Sequence, residues 1–300
     1  MGKQTIRSLF VLVALSAGLG ALKASAMGSK NPSSSKKSGS KTGDSARTPA
    51  NDSNGSVTQP ENPAGVVPQS EGKVVIYNKD TSHKLPARPS CVVEVKQTIR
   101  VTGTLDGKGC LYTWRGAGYP QYCSAPSEID ENQPAMFHLE PGAMLKNLQM
   151  ECALDGIHTT RNNTIDNIVN RDVEEDAITI GQNITIQNSQ FWYCNDKCLQ
   201  MNSADNVIIR NNRFYNSNKP VLANWGYNIL VHDNYFKDVK LAIRSKTTKS
   251  YVKAWRNVVD GADCYLKAES DGYIEDFEEA TLRNVKQKYC YEDGGKIVRK

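Results

Sequence analysis

The sequence predicts an all-β solenoid, a parallel β-helix of about seven to eight coils. The first observation behind this is a phrase that recurs along the second half of the chain. It reads Leu145-Lys-Asn147-Leu, Ile165-Asp-Asn167-Ile, Ile186-Gln-Asn188-Ser-Gln-Phe191, Ile209-Arg-Asn211-Asn-Arg-Phe214 and Val231-His-Asp233-Asn-Tyr-Phe236, with a weaker Ala254-Trp-Arg256-Asn-Val-Val259. The second is the step between the central residues, 20, 21, 23, 22 and 23, a period too long for a helical turn and right for a repeat unit. The third is the residue chemistry. β-branched and aromatic residues with Asn at the punctuation read as short strands and bends, and no 3.6-residue period competes. Such a solenoid displays side chains of successive coils in straight ranks.

Taken in order, residues 1–26 read as a secretory signal peptide. Lys3 and Arg7 form a basic start, residues 9–22 are apolar, and Ala24-Ser25-Ala26 fits a small-residue cleavage site. Residues 27–70 are rich in Ser, Lys, Gly, Asn and Pro and hold almost no large apolar side chains. They cannot offset the entropy of ordering and read as a flexible linker. Residues 71–300 are the β-helix domain, long enough for one sizeable core. Strand-like runs begin at Val74-Val-Ile-Tyr77 and continue with Cys91-Val-Val-Glu-Val95 and Thr98-Ile-Arg-Val101. Thr104-Leu-Asp-Gly-Lys-Gly109 reads as a turn, and residues 111–130, with Gly, Pro, Tyr and Cys123, as a long loop. Regular coils are expected from about Phe137 to about residue 285, then a polar terminus from Glu292 onward. Ile165, Ile186, Ile209 and Val231 are core positions. Phe191, Phe214 and Phe236 form an internal aromatic stack, and Asn188 and Asn211 pair in a ladder at a bend.

Eight cysteines, at 91, 110, 123, 152, 194, 198, 264 and 290, suggest up to four disulfides in an exported chain. Connectivity is open. Cys110 with Cys123 and Cys194 with Cys198 are the near neighbours, and zinc at Cys194 and Cys198 is the alternative, lacking a second cluster at ligand spacing. The net charge is +5, a mild bias that suits an acidic partner. No basic cluster interleaves with aromatics, so nucleic acid is not expected. No segment after the leader is apolar for long enough to span a membrane. The chain is expected to act as a monomer.

Charged residues break the core pattern at a constant interval. Asp155 and Asp176 are 21 residues apart, one coil, and Glu175 adjoins the second. Neighbouring rungs would hold them about 5 Å apart. Carboxylates that close repel unless a cation lies among them, and hard oxygen donors without His or Cys suit Ca²⁺. The plainer reading is a solvated acidic face. Lys197 follows Asp176 by 21 residues, Lys219 follows Lys197 by 22 and Lys240 follows Lys219 by 21, with Arg244 close after. One meridian is therefore expected to carry Asp155, Asp176, Lys197, Lys219 and Lys240. An acidic end beside a basic stripe is what a polyanionic sugar needs. Lysines on a wet face are the alternative.

The passages Glu131-Asn-Gln-Pro-Ala-Met-Phe-His-Leu-Glu-Pro-Gly-Ala-Met-Leu-Lys-Asn147, Leu154-Asp-Gly-Ile-His158, Val173-Glu-Glu-Asp-Ala177 and Asn195-Asp-Lys-Cys-Leu-Gln200 resemble polysaccharide lyase family 3 pectate lyases. The likeness spans roughly residues 91–285. It implies a right-handed parallel β-helix, a Ca²⁺ requirement, and a secreted, alkaline-active enzyme that cleaves de-esterified homogalacturonan (polygalacturonate) by β-elimination. Carried over by position, Asp155, Glu175 and Asp176 match calcium ligands, Lys197 the catalytic lysine, Lys219 a substrate-binding lysine, and Glu131 an acid near the cleft. Two positions depart from the family pattern: Leu222 stands where an Arg is usual three residues past the second lysine, and Thr159 where a Cys follows Asp-Gly-Ile-His. Lys240 and Arg244 are the candidates to replace the missing guanidinium as substrate-binding groups.

The residue types agree with that chemistry. Removal of the C5 proton becomes feasible once the adjacent carboxylate is neutralised, a Lewis-acid task. A lysine desolvated among cations has a lowered pKa and can serve as base. A glycosidase would instead need two carboxylates flanking the bond. A lyase for another uronate polymer, and a catalytically silent β-helix that binds anionic polysaccharide, are the other readings.

Overall fold

A computed structural model describes residues 83–116, 134–173 and 175–300. Among the described residues 22 strands pair in parallel into three ladders that repeat once per coil, and the coils number about nine, consistent with a right-handed β-helix. Each coil visits the ladders in the same order. One central coil runs through Ala204–Arg210 on the first ladder, Arg213–Tyr215 on the second and Lys219–Ala223 on the third.

The recurring phrase forms the corner between the first and second ladders. Its Ile is core: Ile165, Ile186, Ile209 and Val231 are consecutive partners in register, each with no exposed surface. The next residue points out. The third turns the chain with positive φ: 55° at Asn147, 54° at Asn167, 55° at Asn188, 54° at Asn211 and 56° at Asp233. Left-handed backbone is steric strain for most L-residues and mildest for Asn and Asp, so the repeat keeps those types there. The corner amides bond from coil to coil, Asn167 Nδ2 donating to Asn147 Oδ1 at 2.7 Å and Asn211 Nδ2 to Asn188 Oδ1 at 2.5 Å. One residue on, a second rank lies fully inside. Asn212, Asn234 and Asn257 donate to the carbonyls of Ile186, Ile209 and Val231, each at 2.9 Å. They accept from the backbone N–H groups of Ser189, Asn212 and Asn234. Buried amides thus satisfy backbone groups freed where the strand bends. Inside the second ladder, Phe191, Phe214 and Phe236 stack with centroids 5.0 and 4.9 Å apart.

The structure corrects several expectations. Leu111–Trp114 is a fully buried strand and not loop, because its apolar run pairs with Val92–Val95. The segment read as a turn opens with a strand, Thr104–Asp106. The coils do not fade at 285: Thr281–Tyr291 and Lys296–Arg299 are strands, the latter pairing with Tyr273–Asp276. Cys110 bonds Cys91, not Cys123; the two lie on adjacent coils. Cys194–Cys198 and Cys264–Cys290 are also disulfides, which removes the zinc alternative, and Cys152 is disulfide-bonded. The leader, the linker, the run at Val74–Tyr77, Cys123 and Glu131 lie outside the described residues. Among those described, no helix is long and apolar enough to cross a membrane.

Candidate active site

In each coil the chain enters the third ladder from the second, and the charged residues cluster at that entry. Asp155 precedes the strand Ile157–Thr159, Asp176 opens Asp176–Ile180, Lys197 opens Lys197–Met201 and Lys219 opens Lys219–Ala223. Register pairs Asp176 with Lys197 and Lys197 with Lys219. Two sequence devices set this approach. Gly156 lies so close to the next rung that a Cβ would come within 2.4 Å of the Ala177 carbonyl oxygen, which confines the position after Asp155 to glycine. The Cys194–Cys198 disulfide closes the short loop that presents Asp196 and Lys197.

Lys197 is the hub. Its Nζ lies 2.5 Å from Glu175 Oε1, 3.2 Å from Asp176 Oδ1 and 2.8 Å from Asp196 Oδ2. Asp196 also receives Lys219 Nζ at 2.5 Å. Asp196 escaped the sequence reading, although it adjoins Lys197 in a passage that carries the family likeness. Asp155 Oδ2 lies 2.9 Å from His158 Nε2. Two acidic rungs followed by two basic ones, with Asp196 between the lysines, make a compact, half-buried ionic cluster.

Electrostatics follow from burial first. Asp176 is 2 % exposed. Desolvation, the neighbouring Glu175 charge and Asp155 push its carboxyl up to about 8, against the pull of Lys197. Burial also raises Glu175, partly offset by Lys197. Burial likewise lifts Asp196, but hydrogen bonds from Lys197 and Lys219 more than reverse it and hold it below the usual carboxylate range. Burial pulls the Lys197 ammonium down, yet Asp196, Glu175 and Asp176 together hold it above the ordinary lysine value. The expected depression by neighbouring cations is therefore corrected: the nearest neighbours of Lys197 are anions.

The donor set fits a hard cation in its chemistry. Asp155, Glu175 and Asp176 are crowded carboxylates, two of which, Glu175 and Asp176, have raised titrations, and buried Asp176 Oδ1 meets the Lys197 ammonium at 3.2 Å. Among the described residues, however, no three acids close on a common point at ligand distance; Lys197 stands between them.

The basic stripe is shorter than the spacing suggested. Register places Val221 opposite Ile243, so Lys219 falls opposite Leu241, and Lys240 is one residue out of step and exposed. That offset removes Lys240 from the meridian. The parallel outward rank three residues on runs His158, Thr179, Gln200, Leu222, Arg244 and Lys267. Leu222 thus lies on the outward rank, yet is 4 % exposed. Arg244 shares that rank, with its guanidinium paired to Glu269, which also holds Lys267.

Residues 82–224 match the family model described as pectate lyase. An alginate lyase from Paenibacillus sp. str. FPU-7 overlaps 69 % of this chain and 91 % of its own at 10 % identity and a TM-score of 0.36. The family match takes in Asp155, Glu175, Asp176, Lys197, Lys219 and Leu222, and ends before Lys240 and Arg244. The described residues form a parallel β-helix that is pectate-lyase-like over the matched residues 82–224.

Proposed function

We propose that this protein is an exported, Ca²⁺-dependent pectate lyase that cleaves de-esterified homogalacturonan by β-elimination. The observation that carries the reading is the run of Asp155, Glu175 with Asp176, Lys197 and Lys219 on consecutive rungs of one ladder entry, inside the residues matched by the pectate lyase family model. Export is supported by the leader-like residues 1–26 and by disulfides, which persist in oxidising compartments.

In this reading Asp155, Glu175 and Asp176 hold the ion, and bound Ca²⁺ supplies Lewis-acid neutralisation of a uronate carboxylate. Lys219, 28 % exposed at its side chain, meets a second carboxylate of the polymer. Lys197 takes the C5 proton at Nζ. It must first be neutral and released from its acids, and both conditions favour alkaline pH because its ammonium is held above the usual value. The half-buried entry limits water around the ammonium, and Asp196 positions both lysines.

Leu222 favours a second reading, a lyase for a different uronate polymer. The rank position next to the lysines offers methyl groups where a guanidinium would clamp a carboxylate, and Arg244 on the following rung is committed to Glu269. Purified protein incubated with polygalacturonate, and separately with alginate, with and without Ca²⁺, decides between them. The unsaturated product absorbs in the ultraviolet. Product from polygalacturonate only with Ca²⁺ is the expected result; product from alginate alone selects the second reading.

A further inference from the structure

The outward rank beside the Asn corner changes character along the solenoid. In the earlier coils it runs Lys146, Asp166, Gln187 and Arg210, all polar. It then becomes His232, Trp255 and, one rung further, Phe277. His232 and Trp255 stack with centroids 4.3 Å apart at 11°, and Phe277 meets Trp255 edge-on at 6.0 Å and 72°. Phe277 is 38 % exposed. Hydrated outward side chains suffice for the fold in the earlier coils, so packing of the core does not demand aromatics here.

Trp255 and Phe277 form the wall of a cavity of about 300 Å³ lined also by Lys253, Arg256 and Glu279. The charges around it are unequal in their commitments. Arg256 grips Asp233 in a two-pronged pair, with both bonds at 2.7 Å, and lies 4.0 Å from Glu279. Lys253 sits opposite Glu275 in register, but Glu275 is engaged by Lys300 at 3.2 Å and by Tyr251. Lys253 has no carboxylate within ion-pair distance among the described residues, and its ammonium lies 5.5 Å from the Tyr251 ring centre. The cavity therefore combines aromatic surface for the apolar face of a sugar ring, Arg256 and Glu279 for its hydroxyls, and, for a carboxylate, an ammonium in no close ion pair among the described residues.

We propose that this cavity is a second, non-catalytic binding site for a uronate-containing glycan, with Lys253 meeting the sugar carboxylate and Trp255 and Phe277 packing on the ring. The acidic class of glycan rests on the lyase reading above; the shape and the ammonium do not. The cavity opens at the corner between the first and second ladders, whereas the Lys197 cluster sits at the entry to the third, so one polymer chain bound at the cavity leaves the cluster free for another segment. Its role would be to keep the protein on an insoluble polymer between cleavage events.

The test uses the full chain carrying Lys197→Ala, so that the polymer is not consumed, run on native gels cast with polygalacturonate, alginate or neutral galactan in the presence of chelator. Adding Lys253→Ala and Phe277→Ala should weaken retardation by polygalacturonate roughly tenfold, the scale of one lost charge-assisted contact, and leave mobility in galactan unchanged. Lys253→Ala alone, at a surface position, gives the same direction should the Phe277 variant fail to fold. Equal retardation of parent and both variants in every acidic gel overturns the proposal, as does a loss of equal size in galactan. The outcomes separate from those of the lyase reading. If the chain with Lys197 intact yields no unsaturated product while the variants lose retardation, the site stands and the enzyme falls; if it yields product while retardation is unchanged, the reverse holds.

Discussion

At the scale of single residues the chemistry turns on Lys197. Lys197→Ala should lower turnover by about 10²–10⁴, the usual worth of a general base, with the far-ultraviolet spectrum unchanged. The same variant should bind Ca²⁺ more tightly by calorimetry, because it removes the ammonium that competes for Glu175 and Asp176. An unchanged rate would move the base elsewhere. The pH profile has a definite sign. The Lys197 ammonium is held above its ordinary value by three carboxylates, so the neutral form is scarce at pH 7 and log kcat/KM should climb from pH 7 to 10; a flat profile excludes it as base. Leu222 poses the other residue-scale question. Leu222→Arg should raise turnover on polygalacturonate and lower the melting temperature, since it puts a second guanidinium a rung from Arg244, about 4.8 Å along the ladder, in a position now 4 % exposed. A folded variant with no gain beside a vigorous parent shows that the leucine is harmless.

At the scale of elements, the stacked ranks carry the stability. Phe214 lies between Phe191 and Phe236 with no exposed surface, so Phe214→Ala should cost about 3–5 kcal/mol in chemical denaturation. A loss below 1 kcal/mol would mean that the stack is not a cooperative unit. The third ladder has its own acid limb. Burial raises Glu269, but Arg244 and Lys267 reverse this and hold it low. Its contribution is therefore complete above the unfolded value near 4.5 and fades as pH falls through the lower folded value. Glu269→Gln should flatten that limb of the stability curve. These ranks were the most legible part of the sequence, since Ile, Asn and Phe recur where core, corner and stack each impose a different steric demand. Leu111–Trp114 was hidden because a strand buried along its whole length shows no alternation. Lys296–Arg299 was hidden because charges flank its apolar pair. Lys240 was misplaced because coil length drifts by a residue, and counting along the chain cannot tell 21 from 22. Asp196 and the anionic surroundings of Lys197 depend on loop closure across the Cys194–Cys198 bond, which spacing alone does not describe.

At the scale of the whole molecule, metal and fold should be linked. If Asp155, Glu175 and Asp176 share an ion, Ca²⁺ at one hundred times its Kd stabilises the native state by about 2.7 kcal/mol. That corresponds to roughly 5–10 °C in melting temperature for a domain of this size, and chelation should reverse it. Identical melting curves with millimolar Ca²⁺ and with chelator would dismiss the site. The parallel register carries a further consequence. Because every coil repeats the same three strands, the separation between the Lys197 cluster and the cavity at Trp255 is counted in whole rungs, each near 4.8 Å. Gain or loss of one coil between them would lengthen or shorten the molecule as a ruler gains or loses a division, with both ends intact. A single-residue indel is instead absorbed between the ladders, as the steps of 20 to 23 residues between corners show, and leaves the number of rungs unchanged. The spacing between where a polymer is gripped and where it is cut can therefore change only in discrete increments.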